Sequence, residues 1–511
     1  MSSLKKFQWF TFALGFTLFG FLTLDLINFT VDDVFITLRV AENFIRGNGL
    51  VYNIGENVEG HTNLLWVLIL AGPVYIKTLL ALPSYSLLWM AKGLSFLCGI
   101  GSIGLIYRLY RRSGVQSSRY YATLCALALL CCGPLILWSV AGLETTFCAL
   151  LITLLYYQTC RVLNNNTRTS IFTTIGLLGG LLFATHPDQL LHGCISLIFL
   201  YFSVERPHRK KVLYAAVLLG ICVLSVFLFR WYFYHDLAPN TFYAKGGGGF
   251  KTRILGTKYL FAGIGAITGL LLVLCPFIFQ KSLRQQKTIQ LGILLVLTSI
   301  FITLYVGGDW MAGFRFLIPI TPVLYYLLIN ALQDISSRVI TRPIHDWSFL
   351  TTALVLTFLS VSSAMASRTL VRDQTLNLES GFTTRTGHPL PDHERVSLWL
   401  NHRFPDHVTV GTGEAGLIGF LNPQLRLLDF NGLMDKEVAM RRYHRLPFDA
   451  NYFLSKSPDL LLFTGAITKR YSSDEYLNSF NKLELFKANY DLDTVIGDFQ
   501  IFSRKTLLNL D

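Results

Sequence analysis

The residues with chemical potential in this chain stand where apolar runs end. Asp32 and Asp33 are adjacent in "TVDDVFITLRV", directly after a long apolar run. Glu59, His61 and Asn63 follow in "GENVEGHTN", and Glu144 opens an apolar segment in "SVAGLETTFCALL". His186 and Asp188 interrupt "LLFATHPDQLLHG". Asn240, Tyr243 and Lys245 lie in "APNTFYAKGGGG", and Asp309 and Arg315 in "GGDWMAGFRFLIPITP". Ionisable groups at membrane depth are costly and point to function by default. A carboxylate can take the proton from an incoming hydroxyl as a general base. Lys and Arg can hold a phosphate. Together these groups suit transfer from a lipid-phosphate donor to a hydroxyl at one membrane face, in a single pocket built from several loops.

The elements that must position them are membrane-spanning helices. The chain has 511 residues, of which 52% are hydrophobic and 15% charged, with a mean hydropathy of +0.46. Soluble domains carry roughly a quarter charged residues. Apolar runs of ~20 residues recur through the first three quarters, each long enough to span a bilayer as a helix. Net charge is +13. Its basic residues fall in short loops between apolar runs, which the positive-inside rule explains better than nucleic-acid binding does. Lys5 and Lys6 precede a first apolar core that is longer than a signal peptide's and lacks a cleavage site, so it reads as a retained span with a cytoplasmic N-terminus.

Basic clusters at 108–119, 161–168, 206–211, 281–287 and 338–342 mark further cytoplasmic turns. Residues 29–61 then form the first outer loop, and the other polar stretches lie at the same outer face. Residues 62–107 hold two apolar segments where parity allows an odd number of crossings. The expected architecture is a polytopic α-helical membrane protein of about 11 spans, the last near 347–366. It divides into a transmembrane domain (1–366) and a C-terminal extracytoplasmic α/β domain (367–511). In the latter, "HVTVGTGEAGLIGFLNPQLRLLDF" predicts strand, glycine turn, short helix and strand. "SPDLLLF" and "FQIFSRK" predict two more strands. The nine Cys show no metal-ligand spacing and read as buried, inert thiols.

Simpler roles compete with the chemical ones. Val34, Phe35, Leu38, Ala41 and Ile45 have helical spacing, which predicts an amphipathic helix on the membrane surface. Asp32 and Asp33 at its start can favour its positive end, which is a capping role. Lys251, Arg253 and Lys258 read as a solvated or headgroup-facing stretch.

The stretch "DDVFITLRVAENFIRGNGLVYNIGENVEGHTN" resembles the first outer loop of GT-C fold, polyprenyl-phosphate-dependent glycosyltransferases, and within them the mycobacterial terminal β-(1→2)-arabinofuranosyltransferase and its bacterial homologues. "SVAGLET", "THPDQLL", "PNTFYAK", "GGDWMAGFRF" and "LLDFNGLMDKEVA" extend the resemblance along the chain. It implies an inverting transfer of a sugar from a polyprenyl-phosphate donor to an envelope glycan or lipid. The reaction would run at the outer face of the bacterial inner membrane. One Asp of the first-loop pair would be the base, with Asp32 favoured because it is nearer the membrane exit and Asp33 supporting the helix start. Arg315 and Lys245 would bind the donor phosphate, helped by His186 where the family more often has Arg. Glu59, His61, Asn63, Glu144, Asp188, Asn240, Tyr243 and Asp309 would line the pocket. His61 stands where the family commonly has an aromatic or Ser, and it is a candidate acceptor contact. No cofactor is demanded, although Asp32, Asp33 and Asp309 could ligate a divalent cation.

The main alternative is a polytopic transporter or flippase for an envelope lipid or glycan. Such proteins usually place their sites near the midplane within internal repeats, and no repeat is visible here. A noncatalytic scaffold would need neither the acidic pair nor the Lys and Arg loops.

Overall fold

The computed structural model describes residues 19–24, 26–112, 118–245, 250–309, 311, 313–339, 392–464 and 473–508, with Ala13, Phe16 and Thr17. The expected last span, 347–366, lies outside the described residues, as does part of the first. The chain forms two compact units. One comprises Met1–Phe29, Lys92–Val226 and Gly248–Asp373. The other comprises Thr30–Ala91, Phe227–Gly247 and Gln374–Asp511.

Among the described residues five helices are long and apolar enough to cross a membrane: Tyr85–Arg111, Thr145–Leu163, Arg206–Tyr234, Lys287–Val306 and Arg315–Ser336. Tyr120–Leu130 and Gly133–Ser139, bent by 66°, would make a sixth if they form one span. The stretch 62–107 resolves into Leu64–Leu79 and Tyr85–Arg111. The former has 16 residues and an internal Pro73, so at 1.5 Å per residue it is shorter than a hydrocarbon core. In the first unit, glycines let backbones approach. A Cβ at Gly176 would overlap the Ala215 carbonyl, and Gly179 meets Gly193 backbone to backbone. Small residues serve this purpose where lipid offers no hydrophobic drive to helix association.

The second unit contains a five-stranded mixed sheet in the order β2-β1-β3-β5-β4. β1 (Thr409–Thr412) runs parallel to β2 (Arg426–Asp429) and to β3 (Leu460–Thr464). β5 (Phe499–Arg504) is antiparallel to β3 and to β4 (Tyr490–Ile496). The helix Gly416–Leu421 connects β1 to β2, a crossover that parallel neighbours require. β3 reads "LLLFT" and is buried throughout, as a central strand covered on both faces should be. Phe430, Phe453, Phe463, Phe480 and Phe486 fill the core beside it. The strands expected in the two C-terminal motifs and around the glycine turn are all present. β4 was not expected. Its "YDLDTVI" carries two Asp, a residue depleted in strands, but edge position gives those charges access to water.

The first-loop helix is Asp33–Ile45, and here the structure departs from the expected surface helix. Residues Val34 to Asn43 are all buried. Its polar side is enclosed as well as its apolar stripe. Asn43 donates to the carbonyls of Val51 (2.9 Å) and Tyr52 (3.0 Å), and Lys77 pairs with Glu42 at 2.7 Å.

Candidate functional site

Asp32 immediately precedes the first-loop helix, yet its side chain makes no cap bond to that helix. Its carboxylate caps a different one. Oδ2 accepts from the Gly416 amide at 2.7 Å and Oδ1 from the Leu417 amide at 2.8 Å, at the start of Gly416–Leu421. Gly416 must be glycine for this contact, because a Cβ there would overlap the Asp32 carboxylate and carbonyl. Asp33 occupies the first turn of its own helix, the place where a carboxylate favours the helix dipole. Burial is the main cause that raises the Asp32 carboxyl to about 6, and Glu414 adds to it. His393 and the Leu417 amide pull the other way.

The same loop is fastened to the C-terminal part of its unit by residues that the sequence did not mark. Arg39 is buried and donates to the carbonyls of Tyr52 (3.0 Å), Gly419 (2.5 Å) and Leu425 (2.6 Å). The Tyr52 hydroxyl donates to the Ala415 carbonyl. The Asn53 side chain mimics a strand neighbour on the free edge of β2. It accepts from the Leu427 amide at 3.1 Å and donates to its carbonyl at 2.8 Å. Glu56 pairs with Arg426 at 2.5 Å.

Among the other loop residues of the second unit is a buried ion pair. Glu59 is 2% exposed and takes both Nε (2.8 Å) and an Nη (3.0 Å) of Arg230, which is 1% exposed. Burial raises the Glu59 carboxyl and Arg230 opposes that shift. Arg230 sits inside the apolar run "FLFRWYFY", so the charge-in-apolar signal that marked other residues could have found it. The Asn240 amide donates to the Glu59 carbonyl at 3.0 Å, and its side chain donates to Gly432 (2.8 Å) and Leu433 (2.9 Å). Asn63 donates to Thr37 at 3.2 Å, and Tyr243 to Asp236 at 2.9 Å. Lys245 is exposed at the end of the helix Asn240–Lys245. His61 is buried, and neither ring nitrogen has a hydrogen-bond partner among the described residues. Burial, with Arg230 nearby, lowers it to about 3, so the ring is neutral.

The first unit gathers the other candidates. Arg315 pairs with Asp309 at 2.8 Å and lies over the Trp138 ring at 5.8 Å. His186 and Asp188 form an ion pair, and Gln189 donates to Asp188 at 2.9 Å. Burial lowers the His186 imidazole, but Asp188 and Glu144 outweigh that effect and the net shift is upward. Arg315 opposes it, so Glu144, His186, Asp188 and Arg315 share one electrostatic neighbourhood. Among the described residues no group of three or more His, Cys, Asp or Glu is close enough to hold a metal ion.

Residues 383–507 match the profile of a domain of unknown function, DUF8728. A stretch of 233 residues is 27% identical to the terminal β-(1→2)-arabinofuranosyltransferase of Mycobacterium tuberculosis. It covers 43% of this chain and 35% of that protein, so the chain matches about a third of that relative's length. ArnT from Cupriavidus metallidurans in the apo state superposes with a TM-score of 0.61 at 11% identity, covering 97% of this chain and 99% of that one. ArnT bound to undecaprenyl phosphate gives 0.58 at 13%, covering 97% and 98%. The archaeal oligosaccharyltransferase AglB from Archaeoglobus fulgidus, in complex with an inhibitory peptide and a dolichol-phosphate, gives 0.53 at 11%, covering 91% and 70%.

At these identities the structural likeness is one of fold. It shows the fold shared with ArnT and AglB, that of a helical membrane protein with a C-terminal α/β domain. The particular resemblance read from the first loop is borne out as well: the chain is similar to polyprenyl-phosphate-dependent glycosyltransferases of that fold, the mycobacterial arabinofuranosyltransferase among them.

Proposed function

We propose that this protein is an inverting glycosyltransferase. It moves a sugar from a polyprenyl-phosphate donor to a hydroxyl on an envelope glycan or lipid at the outer face of a bacterial inner membrane. The membrane arrangement that goes with this is about 11 spans, a cytoplasmic N-terminus and an extracytoplasmic C-terminal domain. The observation that carries the reading is the Asp32 carboxylate, raised to about 6 and fixed by two amides. A base is most effective when its pKa lies near the working pH.

In the proposed reaction Asp32 takes the proton of the acceptor hydroxyl, with Asp33 supporting the geometry. The oxygen attacks the anomeric carbon from the face opposite the phosphate. The bond from that carbon to the phosphate oxygen breaks, and polyprenyl phosphate leaves. Arg315, Lys245 and His186 are assigned to the donor phosphate. Asp309 engages Arg315 through Nε at 2.8 Å, and a guanidinium is the side chain best shaped to recognise a phosphate. Glu59, His61, Asn63, Glu144, Asp188, Asn240, Tyr243 and Asp309 are assigned to lining the pocket. Asp32, Asp33 and Asp309 belong to no group of three His, Cys, Asp or Glu close enough to hold a metal ion among the described residues, so no step is assigned to a divalent cation.

Asp32→Asn should reduce transfer by roughly 10²–10⁴-fold in an assay with polyprenyl-phosphate-linked pentose and hexose donors, while the variant stays folded and inserted. Full activity in that variant refutes the base assignment. Mass spectrometry of envelope glycans with and without the protein identifies the sugar class as a difference of one pentose or one hexose.

A further inference from the structure

We infer that Glu414, held by His393, is a positioning residue for the Asp32 carboxylate, so that the C-terminal domain completes the reactive centre of the first outer loop. The inference rests on the reading of Asp32 as the base and deepens it.

The turn after β1 reads Gly413-Glu414-Ala415-Gly416, and it is held on both sides. The first loop grips it through Tyr52 on the Ala415 carbonyl, Asp32 on the Gly416 and Leu417 amides, and Arg39 on the Gly419 carbonyl. From the domain side, Asn431 donates to the Gly413 carbonyl at 2.6 Å, and the Glu414 amide donates to the Thr412 hydroxyl at 3.1 Å. Glu414 therefore stands two and three residues from the amides that hold Asp32, on a backbone with little freedom.

Its side chain is fixed too. His393, on the helix Asp392–Arg403, faces Glu414 with Nε2 3.3 Å from Oε2. The imidazole is buried and packs edge-on against Phe499, with centroids 4.9 Å apart. Burial lowers that imidazole, but Glu414, Asp32 and Asp392 together outweigh it and the net shift is upward. His393 thus holds the Glu414 side chain from the domain side while the first loop holds the backbone of the same turn. Glu414 is 30% exposed through its side chain, so it also connects the cluster to water. The charged and titratable groups facing Asp32 are Glu414, His393, Asp33 on its own helix and the Tyr52 phenol. Glu414 and Asp33 raise its carboxyl, and His393 lowers it.

Opposite signs make the test sharp. In the full chain, reconstituted in nanodiscs, the acid limb of kcat/KM against pH is measured for wild type, Glu414→Gln and His393→Gln. Removing the like charge of Glu414 moves the limb to lower pH, by about half a unit or more. That is less than a charge at contact brings, because Glu414 has access to water. Removing the imidazolium moves the limb to higher pH. A residue with only a structural role lowers the rate and leaves the limb in place. The Asp32 carboxyl is also titrated by infrared difference spectroscopy, assigned with Asp32→Asn. If no sugar transfer occurs but the infrared titration still shifts in opposite directions, the function falls and the positioning stands. If neither the limb nor the band moves, or both variants shift the same way, the inference is overturned.

Discussion

Arg39→Met tests how the first outer loop and the C-terminal segment of its unit hold together. Arg39 is 3% exposed, and its three groups end on the carbonyls of Tyr52, Gly419 and Leu425 at 2.5–3.0 Å. Met keeps most of the side-chain volume and supplies no donor. Three buried carbonyls would then lose a charged partner, at ~1–3 kcal/mol each for a buried group left unsatisfied. The guanidinium was itself desolvated, which returns several kcal/mol when it is removed. The net cost is about 3 kcal/mol, or roughly 10²-fold in an opening equilibrium. Hydrogen exchange followed by mass spectrometry reads it directly, since the Gly416 and Leu417 amides are protected by Asp32. Peptides covering 414–427 should exchange ~10²-fold faster in the variant, under conditions where exchange reports the opening equilibrium. Arg39→Lys should fall between, because an ammonium cannot reproduce the fork. Exchange within about threefold of wild type in Arg39→Met would refute this account of the clamp.

Three further outcomes follow from the same unit. Glu59→Ala leaves Arg230 buried without its carboxylate and should cost ~3–5 kcal/mol, whereas Glu59→Leu with Arg230→Met should recover most of it; thermal unfolding in detergent compares the two. His61→Phe removes a buried imidazole with no hydrogen-bond partner among the described residues, so stability should hold or rise by ~1 kcal/mol, while the KM for acceptor increases if His61 contacts it. The Asp429 carboxyl is raised to about 6, first by burial and against the amides of Asn431, Met434 and Leu433. The native state then binds the extra proton more tightly than the unfolded chain, so this group's stabilisation is full below about pH 4 and is lost as pH rises through 6. Denaturation of wild type and Asp429→Asn at pH 4 and pH 7 should show the difference swing by ~2 kcal/mol in favour of the variant.

What could be read from the sequence follows the range of the forces involved. Spans announce themselves by local hydropathy, and β1, β2, β3 and β5 by short apolar runs next to turn signals. β4 escaped because its pattern is broken by Asp491 and Asp493, tolerable only at an edge that no local signal reveals. The acidic pair was legible from its place at the end of an apolar run. The partners of Asp32 were not, because Gly416 and Leu417 lie 384 and 385 residues away and backbone amides leave no mark in a sequence. Arg39 was hidden for a related reason. On the helix Asp33–Ile45 it looks like one more solvated polar position until carbonyls from distant residues are seen to enclose it.

The long-range contact also changes what capping means for Asp32. Capping and proton abstraction looked like rival roles when the only helix in view was the one that Asp32 precedes. The helix actually capped is Gly416–Leu421, and each carboxylate oxygen accepts one amide there. An ionised carboxylate offers about four lone-pair directions, so two remain for a hydroxyl proton after the amides are served. The amides hold the carboxylate in one orientation, which a base requires if its proton transfer is to be aligned with attack. They also lower its proton affinity, while burial and Glu414 raise it. The balance near 6 leaves Asp32 largely ionised at neutral pH and still basic enough to accept a proton. Asp33 stands in the first turn of its own helix, where a carboxylate favours the helix dipole, so the two adjacent carboxylates face different helices.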